Sequence, residues 1–169
     1  MAELGATLGS EGGHAEALLC LNRSLKIHQE TLGPDSPEAV QDLLQIAMAT
    51  HAKGDLEEAS KEYERALRFK EMQVGPDKEE LISLLSNMAD LYVTMERYSR
   101  AQELLYQTTC LLGRQPQRLV EALDKLAAVC EVTNRIADAQ KYRAQAAATR
   151  QKLAAAAQAE AERQVIPAS

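Results

Sequence analysis

Apolar residues along this chain recur with a helical period. Leu43 and Ile46 precede Ala47, Leu85 and Met88 precede Ala89, and Leu123 and Leu126 precede Ala127. A second series holds Leu56, Tyr63 and Ala66, then Tyr98 and Leu105, then Ile136. Spacings of three and four place each group on one buried stripe of an amphipathic helix. The predicted helices run over 11–31, 37–52, 55–74, 78–95, 98–112, 117–133 and from 136 onward. Residues 1–8 read as the end of an earlier helix, so the chain is expected to begin inside a helical unit.

Small residues set the register. A first anchor falls at Gly5, Ala47, Ala89 and Ala127, and a second at Ala17, Ala59, Ala101 and Ala139, at the same offset from the first each time. A helix-ending glycine at Gly33, Gly75 and Gly113 precedes the next first anchor, again at one constant offset. The first anchors therefore repeat with a period of 42, 42 and then 38, and the whole contraction falls between Ala101 and Gly113. The difference of four is close to the ~3.6 of one helical turn, so the deletion shortens a helix and nearly preserves its apolar face. Anchors without bulk let the two helices of a hairpin cross closely. The units are 1–31 (incomplete), 32–75, 76–113 and 114–153, followed by an Ala-rich helical tail, 154–169.

The turns support this division. Gly33 can adopt the left-handed conformation after a helix, Ser36 can cap the next one and Pro37 suits its first position. Gly75 repeats the pattern, with Asp77 and Glu80 in capping-box spacing, and Gly113 to Pro116 repeats it again. Lys53-Gly54-Asp55 and Asn134-Arg135 mark tighter turns inside hairpins.

Composition narrows the class. The apolar fraction is 46%, with no Trp and one Phe, and it leans on Ala and Leu, strong helix formers, so an all-α fold is expected. A net charge of −6 disfavours nucleic acid and anionic membrane surfaces, which require dense basic patches. No run is long and apolar enough to span a membrane. Cys20, Cys110 and Cys130 are widely spaced and form no ligand pair, which fits reduced packing cysteines and a cytoplasmic location.

The hairpins resemble tetratricopeptide repeats, and the long period of 42, with Leu-Gly-Pro-Asp between units, resembles the kinesin-light-chain type. Leu4, Gly5, Ala17 and Leu21 match half a unit. Leu43, Ile46, Ala47, Gly54, Ala59, Tyr63 and Ala66 match a full one; Leu85, Met88, Ala89, Tyr92, Ala101 and Leu105 match another. Arg143 and Cys130 depart from the pattern in the last unit. The resemblance implies a right-handed α-α superhelix, a solenoid of antiparallel helix hairpins whose first helices line a concave binding surface.

Counting one helical face gives the candidate peptide-binding residues. They are Gln41, Leu44, Gln45, Met48 and His51 in one helix and Ser83, Ser86, Asn87, Asp90 and Val93 in the next. The last unit adds Glu121, Asp124, Lys125, Ala128 and Glu131. Leu44 and Met48 would be apolar on an otherwise polar face, and Met adapts to varied ligands. Gln45 and Asn87 stand one full period apart and can pair with an extended peptide backbone; the resemblance implies that role for Asn87. The carboxylates of Asp90, Glu121, Asp124 and Glu131 favour a ligand with Lys or Arg beside apolar anchors.

Catalysis finds no support. His14, His28 and His51 have no matched carboxylate and nucleophile, and Gly9 to Gly13 is neither a nucleophile elbow nor a phosphate loop. No metal or cofactor is expected. The leading expectation is a non-enzymatic scaffold or adaptor that binds a protein or peptide. The alternatives are an assembly module, stacking on further repeats or self-associating through Leu18, Leu21 and Leu25 of the incomplete first unit, and a motor-cargo adaptor suggested by the family resemblance.

Overall fold

The computed structural model describes residues 2–72, 78–113 and 115–165, and these form seven helices with no strand among the described residues. They are α1 (Ala2–Thr31), α2 (Pro37–Lys53), α3 (Leu56–Met72), α4 (Lys78–Thr94), α5 (Tyr98–Leu111), α6 (Pro116–Val132) and α7 (Ile136–Val165). The chain divides into two compact units, Met1–Met95 and Glu96–Ser169. In the first, α1 packs on α2, α2 on α3 and α3 on α4, and α2 also touches α4. In the second, α6 packs on both α5 and α7.

The small anchors are buried. Ala47, Ala89, Ala127, Ala59 and Ala101 have no exposed surface, and Ala139 has almost none. Leu43, Ile46, Leu85, Met88, Leu123 and Leu126 flank them in the core, as do Tyr63, Ala66 and Leu105. Ile136 departs from the expectation, being 48% exposed, because it opens α7 one turn ahead of Ala139. Farther along α7, Ala146 is buried with Val120 and Leu123 of α6, beneath Leu119 and Tyr142.

Polar contacts tie neighbouring helices. Asp42 of α2 accepts from the Ser24 hydroxyl at 3.2 Å and meets His28 Nδ1 at 2.7 Å, both on α1. Lys70 of α3 is buried and donates to Glu80 of α4, and Tyr92 of α4 donates to Glu64 of α3 at 2.6 Å. His28 and Lys70 stand one full period apart, so one repeat position supplies two of these ties.

The turns show what the chain demands locally. Gly33 (φ 101°) is left-handed, the Ser36 hydroxyl oxygen accepts from the Ala39 N–H at 3.2 Å, and Pro37 begins α2. The turns that follow α2, α4 and α6 place a left-handed residue at Gly54 (φ 94°), Glu96 (φ 57°) and Asn134 (φ 57°), in step with the anchors, including the contracted last interval. At two of them the backbone bonds match: Asp55 N to Thr50 O and Gly54 N to His51 O, then Arg135 N to Cys130 O and Asn134 N to Glu131 O. These bonds satisfy carbonyls that the end of a helix leaves open.

Several expectations are corrected. α1 is unbroken through residues 9–13, so no turn separates 1–8 from 11–31. Ala17 is consequently exposed instead of facing a hairpin mate. Leu25 is buried, and Leu18 and Leu21 are half-covered on the helix that packs against α2; Leu19 (72%) and Ile27 (50%) are the more exposed large side chains among the described ones of α1. Gly113 is not left-handed, and α6 starts at Pro116 without a side-chain cap, because α5 closes at Leu112 in near-helical geometry. Cys130 is buried, but Cys20 and Cys110 are exposed, not packed. The predicted turn at Gly75, Pro76 and Asp77 lies outside the described residues, as does Gly5 as an anchor side chain. α5 has 14 residues where α3 has 17, the shortening that the contracted last period requires.

Glu96 occupies a conformation that suits glycine or asparagine, as its equivalents Gly54 and Asn134 show. Glu96→Gly is expected to stabilise the chain by about 1 kcal/mol, read as a rise in Tm. An unchanged or lower Tm would mean that this turn carries no backbone strain.

Candidate peptide-binding face

The stripe predicted on α2 and α4 follows from the helical period, since residues three, four and seven apart share a face. On α2, Gln41, Gln45 and Met48 are exposed, while Leu44 and His51 are half-buried beside them. On α4, Ser83 and Val93 are exposed, and Ser86, Asn87 and Asp90 are half-buried. Met48 keeps 46% of its surface in solvent, so a soft apolar side chain does stand between the two glutamines and His51. Because α2 and α4 touch, these residues belong to one compact unit.

Asp90 also acts on the core behind it. Burial pushes the Tyr63 phenol up to about 12, and the Asp90 charge adds to the rise. The neutral phenol is favoured by folding, so its contribution is intact below the ordinary value of 10.0 and is lost as pH rises through about 12.

The face on α6 differs from the expectation. Glu121, Lys125 and Ala128 are exposed, but Asp124 and Glu131 are held by arginines of α7. Arg143 bonds both oxygens of Glu131, at 2.7 and 2.8 Å, and Arg150 bonds Asp124. The Arg143 hydrogen bond holds the Glu131 carboxyl below the usual carboxylate range. Two of the four carboxylates behind the expected acidic groove are therefore locally neutralised, which weakens the case for a basic ligand. The signal was present in the sequence: Asp124 and Glu131 are seven apart, and so are Arg143 and Arg150, a match for antiparallel helices.

The expectation that no histidine has a matched carboxylate and nucleophile is corrected for His28, which meets Asp42 with Ser24 beside it. Ser24 and His28 both converge on the Asp42 carboxylate, so the serine proton is directed to Asp42 and not to the imidazole. A nucleophilic serine needs the reverse arrangement, with its proton directed to a base. This cluster joins α1 to α2. No group of three metal-ligating side chains occurs among the described residues, and none of their helices is long and apolar enough to cross a membrane.

With this geometry in view, comparison with known proteins decides the family. The model of the tetratricopeptide repeat matches residues 1–72 and 40–109, more than half of the chain. The chain belongs to the tetratricopeptide repeat family. A putative kinesin light chain of Podosopora anserina with nearly identical TPR-like repeats has a similar fold, with a TM-score of 0.74 at 20% identity over 89% of this chain and 73% of that one. BtubC (BKLC) from P. vanneervenii gives 0.63 at 20% identity, over 83% of this chain and 58% of that one, so this chain spans little more than half of its length. MamA gives 0.54 at 15% identity, over 81% of this chain and 80% of that one. No curated protein matches the chain. The fold is thus the all-α superhelical class of tetratricopeptide repeats, of kinesin-light-chain-like type. Repeats of this family are generally protein-interaction scaffolds and generally not enzymes.

Two titrations check the electrostatics. Arg143→Gln is expected to return the Glu131 pKa toward the ordinary carboxylate range by NMR, and no movement would place the ion pair in doubt. Asp90→Asn is expected to lower the Tyr63 midpoint below about 12 in absorbance titration, yet leave it above 10.0 because burial is the larger cause.

Proposed function

We propose that this tetratricopeptide repeat chain is a non-enzymatic adaptor that holds an extended peptide or helix of a partner protein along the face shared by α2 and α4. The observation that carries the reading is the 46% exposure of Met48 beside Leu44, on a helix in contact with the one that bears Asn87. Met48 and Leu44 supply apolar anchoring, and Gln45 and Asn87 can each donate to and accept from a peptide main chain. A motor-cargo role is one specialised form of this reading and rests on repeat type alone; fold does not fix function.

The test is a peptide-array screen with the full chain, followed by Gln45→Ala with Asn87→Ala, and separately Met48→Lys. Each variant is expected to weaken selected peptides by about tenfold, consistent with ~1–2 kcal/mol for lost polar contacts or apolar anchoring. Retained affinity in all variants for every selected peptide would show that the ligand sits elsewhere.

A further inference from the structure

The second compact unit holds an open cleft of ≈ 500 Å³ among α5, α6 and α7. Leu119 and Leu123 of α6 form its floor, Tyr106 and Cys110 of α5 one side, and Tyr142 and Ala148 of α7 the other. It lies at the end of α5, the helix that the contracted period shortens. Its aromatic rim is accessible, for Tyr106 is 56% exposed and Cys110 is also exposed.

The charge is unlike the rest of the chain. The molecule has a net charge of −6, yet the cleft lining contains Lys141 and Lys152 and no carboxylate. Arg143 and Arg150 on the same helix are occupied by Glu131 and Asp124. Lys141 and Lys152 have no ion pair among the described residues, and the residues one turn away from Lys152 are Ala148, Thr149, Ala155 and Ala156. Lys141, Gln145, Ala148 and Lys152 fall on one face of α7, so a small residue stands between two ammonium groups. Three turns of helix separate the lysines by ~16 Å, a span that side chains four residues apart on one side of an extended chain, ~13 Å, reach through the flexible lysine stems.

We propose that this cleft is a second docking site, for an extended acidic peptide. Two carboxylates four residues apart, on one side of the extended chain, meet Lys141 and Lys152, and the apolar or aromatic side chain midway between them on that same side packs on Leu119, Leu123, Tyr106 and Tyr142. The site is independent of the α2 and α4 face in both residues and ligand charge.

The experiment uses the full chain and fluorescein-labelled Glu-Ser-Phe-Ser-Glu, with Lys-Ser-Phe-Ser-Lys as the charge-inverted control. Fluorescence polarisation is expected to show saturable binding of the acidic probe only. Lys141→Glu with Lys152→Glu, both at exposed positions, is expected to weaken it at least about tenfold, whereas Gln45→Ala with Asn87→Ala leaves it unchanged. Bound probe is expected to slow alkylation of Cys110 by iodoacetamide but not that of Cys20, the exposed thiol of the other unit. Failure of the acidic probe to bind, equal binding of the basic one, or equal protection of both thiols would overturn the proposal. So would a shift in oligomeric state on charge reversal without probe binding, since the cleft would then belong to a second copy of the chain.

Discussion

The α2–α3 and α6–α7 hairpins depend on how closely two helices can approach. Ala47 and Ala59, and Ala127 and Ala139, are buried on paired helices with almost no surface left. A larger side chain at such a point would have to displace a close-packed neighbour. The constant interval between first and second anchors leaves room for the end of one helix, a tight turn and the first turn of the next. Gly54 and Asn134 meet that constraint with residues that tolerate a positive φ; Glu96 meets it against its intrinsic preference. The same register decides which side chains of α2 and α4 remain outside, and hence which can meet a partner.

Charge is arranged on a shorter scale than net composition conveys. The overall acidity does not produce a uniformly acidic surface, since arginines of α7 answer Asp124 and Glu131 while the lysines on its neighbouring face are left open. These are exposed ion pairs, and such pairs contribute little to stability. They remove charge from the α6 face and leave a separate patch of positive charge beside aromatic rings.

The fold was legible where several constraints agreed. Buried anchors, three- and four-residue apolar spacing and the Ser36–Pro37 helix start all reported the same repeat, and the helices on both sides of Gly54 followed. Legibility ended where a single signal stood alone. Glycines at 9–13 suggested a break, but α1 continues through them because glycine weakens a helix without forbidding it. Gly113 suggested a left-handed cap, but the shortened α5 leaves without one. Exposure of the α2 and α4 stripe could be counted from periodicity, whereas the partners of Asp124 and Glu131 required knowing that α7 lies against α6. The cleft among α5, α6 and α7 was not legible, because it arises from the packing of three helices and not from any motif.

The most direct measurement compares thermal unfolding of Ala47→Leu and Ala127→Leu with that of Ala17→Leu and Ala128→Leu, whose alanines are exposed. If close approach at the anchors organises the hairpins, each anchor variant loses about 1–3 kcal/mol through overpacking and each exposed control stays within about 0.5 kcal/mol of the parent. Anchor variants as stable as the controls would contradict that account, and with it the register assigned to the proposed binding face.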